Sequence, residues 1–112
     1  TRHKDRDSCE ISGTLCIDDN DWPIYLEPDK KKGKITNTGY IPGFTDGKAV
    51  HLKKGDLMIY RGCDLEHWRD PNPFDKHFQI FVHYNNTKTT DKKYDNRPHM
   101  GLPNTFQGGT WK

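Results

Sequence analysis

The apolar residues of this chain fall in short runs with the two-residue period of β-strands, not the 3.6-residue period of helices. Residues 10–17 alternate polar and apolar side chains and stop at Asp18-Asp19-Asn20-Asp21, a cluster of turn formers, which predicts a strand and then a turn. Residues 22–26 carry aromatic and β-branched side chains, and Pro23 suits the start or edge of a strand. Residues 28–33 read as a loop. Residues 35–44, interrupted by Gly39, Pro42 and Gly43, predict at best an irregular extended stretch. Further on come a short strand at 49–52, a glycine-bearing turn at 53–56 and a continuous apolar strand at 57–60. The chain turns again at 62–64, residues 65–68 are a short strand, and 70–75, with two prolines, are a loop. Residues 78–84 are the clearest strand of all.

Many short strands at close spacing, with no heptad, predict an all-β sandwich or barrel of the jelly-roll kind. Residues 1–84 form the expected core. Beyond Tyr84 the composition shifts to Asn, Thr, Lys, Asp and Gly, so 85–112 read as a largely irregular tail, with Tyr94, Met100, Phe106 and Trp111 as its few anchors.

A length of 112 residues allows one domain or part of one. Hydrophobic and charged residues each make up 30%, so any core is modest. The net charge of +2 comes from interspersed signs, which gives no clear nucleic-acid signal; the lysines at 30–32 and 34 read as a solvated loop or an edge-strand guard. Cys9, Cys16 and Cys63 are odd in number and lack CxxC spacing, which disfavours a disulfide framework and a zinc knuckle and fits a reducing compartment. No run approaches the ~18 apolar residues of a membrane span, so a soluble, intracellular protein is expected.

Three features carry chemistry. In His3-Lys4-Asp5, residues i and i+2 of an extended chain point to the same side, so an imidazole and a carboxylate can converge on one ion. His67 follows directly on the apolar strand and the turn after it, and the closing strand begins with Lys76 and His77. Two histidines and one carboxylate on one face of an iron leave adjacent coordination positions open, as non-haem iron(II) oxygenases require. Zinc competes for the same donors.

His3-Lys4-Asp5, the strand at 9–17, the segment Lys54-Gly55-Asp56-Leu57-Met58-Ile59-Tyr60-Arg61-Gly62, and His67 followed by His77-Phe78-Gln79-Ile80-Phe81-Val82-His83-Tyr84 together resemble the 2-oxoglutarate- and iron(II)-dependent oxygenase superfamily, nearest its prolyl-hydroxylase-like branch. The resemblance covers about residues 2–84. It implies a double-stranded β-helix, cupin-like in form. It implies iron(II) held by His3, Asp5 and His67, and 2-oxoglutarate as a cosubstrate that chelates the metal and leaves as succinate and carbon dioxide. The outcome is hydroxylation of a peptide, amino-acid or small-molecule substrate; the halogenating members lack the carboxylate that Asp5 supplies.

Two departures from that pattern stand out. The family places an arginine or lysine near ten residues after the distal histidine to pair with the far carboxylate of 2-oxoglutarate, and here that position is His77. Lys76, Arg69 and Arg61 are the other cations at hand, and the hydroxyl of Tyr25 or Tyr60 can complete the pocket. Thr1 lies two residues before the first ligand, where the family has earlier strands and helices; a fragment or a minimal form is implied, with association to another chain through an exposed edge. Trp68 and the loop at 70–75 flank the open face of the metal and are candidate substrate contacts. Two other readings stay open: a non-catalytic jelly roll serving as a binding or virion structural module, and a cupin-like metalloenzyme that does not use 2-oxoglutarate. His51, His83 and His99 read as packed or solvated residues.

Overall fold

The computed structural model describes residues 1–86 and 88, together with the backbone of two short strands, Thr105–Phe106 and Gly109–Thr110. A single 3-10 turn, Asp7–Cys9, leads into β1 (Ile11–Cys16). Then come β2 (Ile24–Leu26), β3 (Lys34–Thr36), β4 (Gly39–Ile41), β5 (Lys48–Val50), β6 (Leu57–Tyr60), β7 (His67–Trp68) and β8 (Gln79–Tyr84), with the last two strands as β9 and β10. The protein is all-β, and every strand pairing is antiparallel. Two three-stranded sheets, in the orders β6-β1-β8 and β5-β2-β7, are accompanied by two ribbons, β3-β4 and β9-β10. The chain passes between the larger sheets from β1 to β2, from β5 to β6, from β6 to β7 and from β7 to β8, so residues distant in sequence meet. Among the described residues no helix is long and apolar enough to cross a membrane.

Strand β1 is the centre of its sheet and is buried at four of its six residues. Ser12, Thr14 and Cys16 share one parity and are all buried, and they are registered with His83, Phe81 and Gln79 of β8. Tyr60 of β6 lies opposite Ser12 on the other side. The buried set is small and polar: Cys9, Cys16, Ile24, Tyr60 and Trp68 are joined by Ser8, Ser12, Thr14, Glu27, Glu66 and His67. The apolar runs divide between two faces of the sheet, so Tyr60 points in while Leu57 and Ile59 are exposed. The three cysteines are free thiols.

Residues 35–44 differ from expectation: they contribute to a regular hairpin, with Lys34, Ile35 and Thr36 opposite Ile41, Tyr40 and Gly39. The physical reason is local side-chain bonding. Thr36 Oγ1 donates to Gly39 O at 2.7 Å and accepts from Thr38 N at 3.3 Å, closing the turn, while the far strand is anchored by Tyr40 as described below. The loop at 70–75 is without strands, as its prolines predict. In the expected irregular tail the ribbon β9-β10 is regular structure; the rest of that expectation, including Tyr94, Met100 and Trp111, lies outside the described residues.

Candidate metal centre

The backbones of His3 and His67 meet in an antiparallel bridge, with His3 N donating to His67 O at 3.1 Å and His67 N to His3 O at 3.0 Å. On its other side His67 is registered with Leu26, so β7 is held between β2 and the N-terminal segment. Asp5 N donates to Gly62 O at 2.8 Å, which fixes the second half of the HxD tripeptide against the turn after β6.

Both imidazole Nε2 atoms then converge on one oxygen, Asp5 Oδ1, at 3.5 Å from His3 and 3.4 Å from His67. One ligand atom from each of the three residues fits within a span of 4.8 Å. Donors about 2.1 Å from a shared ion lie roughly 3.0–3.4 Å apart for right-angled to tetrahedral arrangements, so the two imidazole–carboxylate distances are already near the required spacing. The opposite ring nitrogens are tied down: His3 Nδ1 is 2.8 Å from Thr1 O and His67 Nδ1 is 2.9 Å from Leu65 O. A carbonyl only accepts, so each Nδ1 donates, and each Nε2 is left facing Asp5, where a shared proton or a cation can bridge them.

Burial alone would raise the Asp5 carboxyl, but hydrogen bonds with His3, His67 and Ser12 outweigh it and hold Asp5 well below the usual carboxylate range. The bond to Asp5 in turn raises His3, against the effect of burial. A cation entering this cluster replaces a proton shared between imidazole and carboxylate.

The second oxygen of Asp5 is held from below. Ser12 Oγ donates to Asp5 Oδ2 at 3.0 Å, and with its one proton used it accepts from His83 Nδ1 at 3.1 Å. Residue 62 must be glycine for this approach, since a Cβ there would collide with both Asp5 Oδ2 and Ser12 Oγ. Ser12→Ala is expected to weaken metal binding about 10–100-fold, the usual effect of losing an outer-shell partner. Competition against a coloured chelator measures it, and an unchanged affinity would remove Ser12 from the account.

Beside the triad, Glu66 is fully buried and ties three segments together. Its carboxylate accepts from Arg2 Nη1 at 3.3 Å, from Tyr40 Oη at 2.5 Å and from Gly43 N at 3.0 Å. Residues 2 and 66 thus clamp the same two segments that the bridge between residues 3 and 67 joins. The Arg2 guanidinium also lies 3.7 Å over the Trp68 ring.

A cavity of about 320 Å³ opens on the triad between the two larger sheets, with Tyr60, Trp68, Arg69 and Phe81 among its lining residues. Of the residues expected to anchor 2-oxoglutarate, Arg69 and Tyr60 line this cavity, and Lys76, His77 and Tyr25 do not. Lys76 is exposed, and its carbonyl accepts from Asn20. Tyr25 stacks on Trp68 at 5.6 Å. His77 turns inward behind Arg69: Arg69 Nη1 donates to His77 Nε2 at 3.2 Å, and His77 Nδ1 lies 3.3 Å from Asp18 Oδ1. The Trp22 ring lies under the Arg69 guanidinium at 4.6 Å.

Ser12, Glu66, Arg2 and His83 were not singled out from the sequence as site residues. For His83 a signal was present: it shares the parity of Gln79 and Phe81 on β8, and all three line the cavity. His51 pairs with Asp21 at 2.8 Å on the surface, and His99 lies outside the described residues. Compared with models of protein families, with curated proteins and with solved structures, the chain has no match, so the reading of this site rests on its own residues and their geometry.

Proposed function

We propose that this chain is the core of an iron(II)- and 2-oxoglutarate-dependent oxygenase that hydroxylates its substrate, with His3, Asp5 and His67 as the metal ligands. The observation that carries the reading is the convergence of two imidazole Nε2 atoms on one carboxylate oxygen at the mouth of a cavity, each ring fixed through its other nitrogen. The donor set is that of a facial triad, which leaves adjacent positions on iron for cosubstrate and oxygen. The repeated crossing between two antiparallel sheets supports a double-stranded β-helix, the jelly-roll form of this class.

Bound iron supplies an acceptor for the keto acid and for dioxygen; the rest of the work belongs to the chain. Arg69 is the cation for the far carboxylate of 2-oxoglutarate. It lines the same cavity as the triad, it makes no ion pair with a described carboxylate, and burial lowers its pKa, so an anion that enters meets a poorly solvated fork. His77, standing where the family has its basic residue, orients Arg69 from behind and does not touch the ligand. Tyr60 packs edge-on against His67 with ring centroids 5.0 Å apart and, with Trp68, keeps water from the metal side of the cavity.

Arg69→Ala is expected to weaken 2-oxoglutarate binding about 10–100-fold, the loss of a charge-assisted pair, with iron binding retained. Anaerobic addition of iron(II) and then 2-oxoglutarate should produce the visible charge-transfer band of the chelate, and aerobic turnover should release succinate. Iron uptake without the band, and without succinate, would favour a cupin-like metalloenzyme; no uptake of any metal would favour a binding module.

A further inference from the structure

The lysines at 30–32 and 34 have no part in metal or cosubstrate binding, yet the fold sets the start of this segment against the HxD tripeptide. Lys4, the middle residue of the HxD tripeptide, extends its Nζ to the carbonyl of Lys30 at 2.8 Å. From Lys30 to Phe44 the chain carries four lysines and no carboxylate. The same segment is the β3-β4 hairpin, and it is firmly seated, because Tyr40 and Gly43 both bond to buried Glu66 next to His67.

A second cavity, of about 510 Å³, lies between this hairpin and the triad. It shares His3, Asp5 and His83 with the first cavity, so the metal position is approached from two directions. Its remaining lining includes Lys4 and Arg6 with Ile35 and Tyr40, and Ile35 is 65% exposed. Beyond the mouth, Ile41 and Phe44 are also exposed, Phe44 at 83% and with a left-handed φ of 56°. Holding a large apolar side chain in solvent on strained backbone is costly. The hairpin has only two strands among the described residues, so its outer edges are open to a further extended segment.

We infer that the 510 Å³ cavity and the β3-β4 hairpin form the substrate site, and that the substrate is an acidic polypeptide segment lying along the hairpin with its target side chain in the cavity. This rests on the oxygenase reading. The first cavity, with Arg69, takes the cosubstrate, which leaves the second for the substrate. Lysines at 30–32 and 34 are followed by exposed apolar side chains at 35, 41 and 44, a length that suits an extended chain with acidic and apolar residues; a small acid would engage only the cations at the mouth.

The test uses the full 112-residue chain and a fluorescein-labelled twelve-residue peptide of alternating glutamate and valine, followed by anisotropy at low and physiological salt. The expected result is binding at least about tenfold tighter than that of the lysine-valine counterpart, weakened by salt. Joint charge reversal of Lys30, Lys31, Lys32 and Lys34 should lose it, and Ile35→Ser with Phe44→Ser should weaken it. All six positions lie on the exposed hairpin or its flanks, so folding is preserved. His67→Ala should leave peptide binding intact, which separates a failure of this inference from a failure of the oxygenase reading. Equal binding of both peptides, full binding by the charge-reversed chain, displacement by millimolar glutarate alone, or tighter retention of a single-stranded RNA of similar length would each overturn the proposal.

Discussion

His67→Ala is expected to lower iron(II) affinity by more than about 100-fold and to abolish succinate release, the largest effect on function of any single substitution. In the proposed site three donors hold the metal, and removing one leaves a histidine and a carboxylate two residues apart, a pair common on protein surfaces and weak as a chelate. His67 is also the donor most fixed in advance: its side chain is 6% exposed, its backbone bonds to His3 in both directions, and its Nδ1 is held by Leu65 O. Competitive titration with a chelator gives the affinity, and a coupled succinate assay gives the activity. Circular dichroism checks that the sheets survive, since the backbone bridge does not depend on the side chain. Iron binding within a few-fold of the parent chain would mean that the metal position lies elsewhere.

The second large effect falls on stability. Glu66→Ala is expected to cost about 3–5 kcal/mol, because it leaves the Arg2 guanidinium, the Tyr40 hydroxyl and Gly43 N next to an empty, largely dry space. A domain of this size has roughly 5–15 kcal/mol in all, so the loss is a large share of its stability and lowers the denaturation midpoint. Glu66→Gln keeps the shape and one acceptor and should cost less. Chemical denaturation measures both; equal stability of the alanine variant and the parent would show that the clamp is dispensable. The same carboxylate gives a pH dependence. Burial by itself would raise Glu66, but the bonds from Tyr40, Gly43 and Arg2 outweigh it, so its folded pKa lies below the unfolded one. Its contribution is therefore complete above the ordinary glutamate range and is lost as the pH falls through the lowered folded value.

The grouping of His3, Asp5 and His67 was legible in the sequence because its parts follow one another in a fixed order: an HxD tripeptide, a strand, an apolar strand and a histidine after the turn. What could not be read was the support. That Ser12 faces Asp5, and that Arg2 reaches Glu66, depends on strand register, which one residue of slip would invert. The hairpin at Lys34–Ile41 was hidden for a similar reason, since Gly39 and Pro42 mark a break unless the Thr36 side chain closes the turn and a distant carboxylate holds Tyr40. Apolar runs such as Leu57–Tyr60 located strands correctly but not the core, because alternation sends half of each run to the outer face. Counting from His67 puts His77 at the position of the family's basic residue; that it stands behind Arg69 is visible only in the fold.

X-ray absorption at the iron edge of the full chain loaded anaerobically with one equivalent of iron(II) tests the central claim most directly. The account predicts one ion per chain, two imidazole scatterers with nitrogen at about 2.1 Å, and loss of one of them in His67→Ala with none lost in His51→Ala. An ion with no imidazole in its shell, or an identical spectrum from the His67→Ala chain, would contradict it.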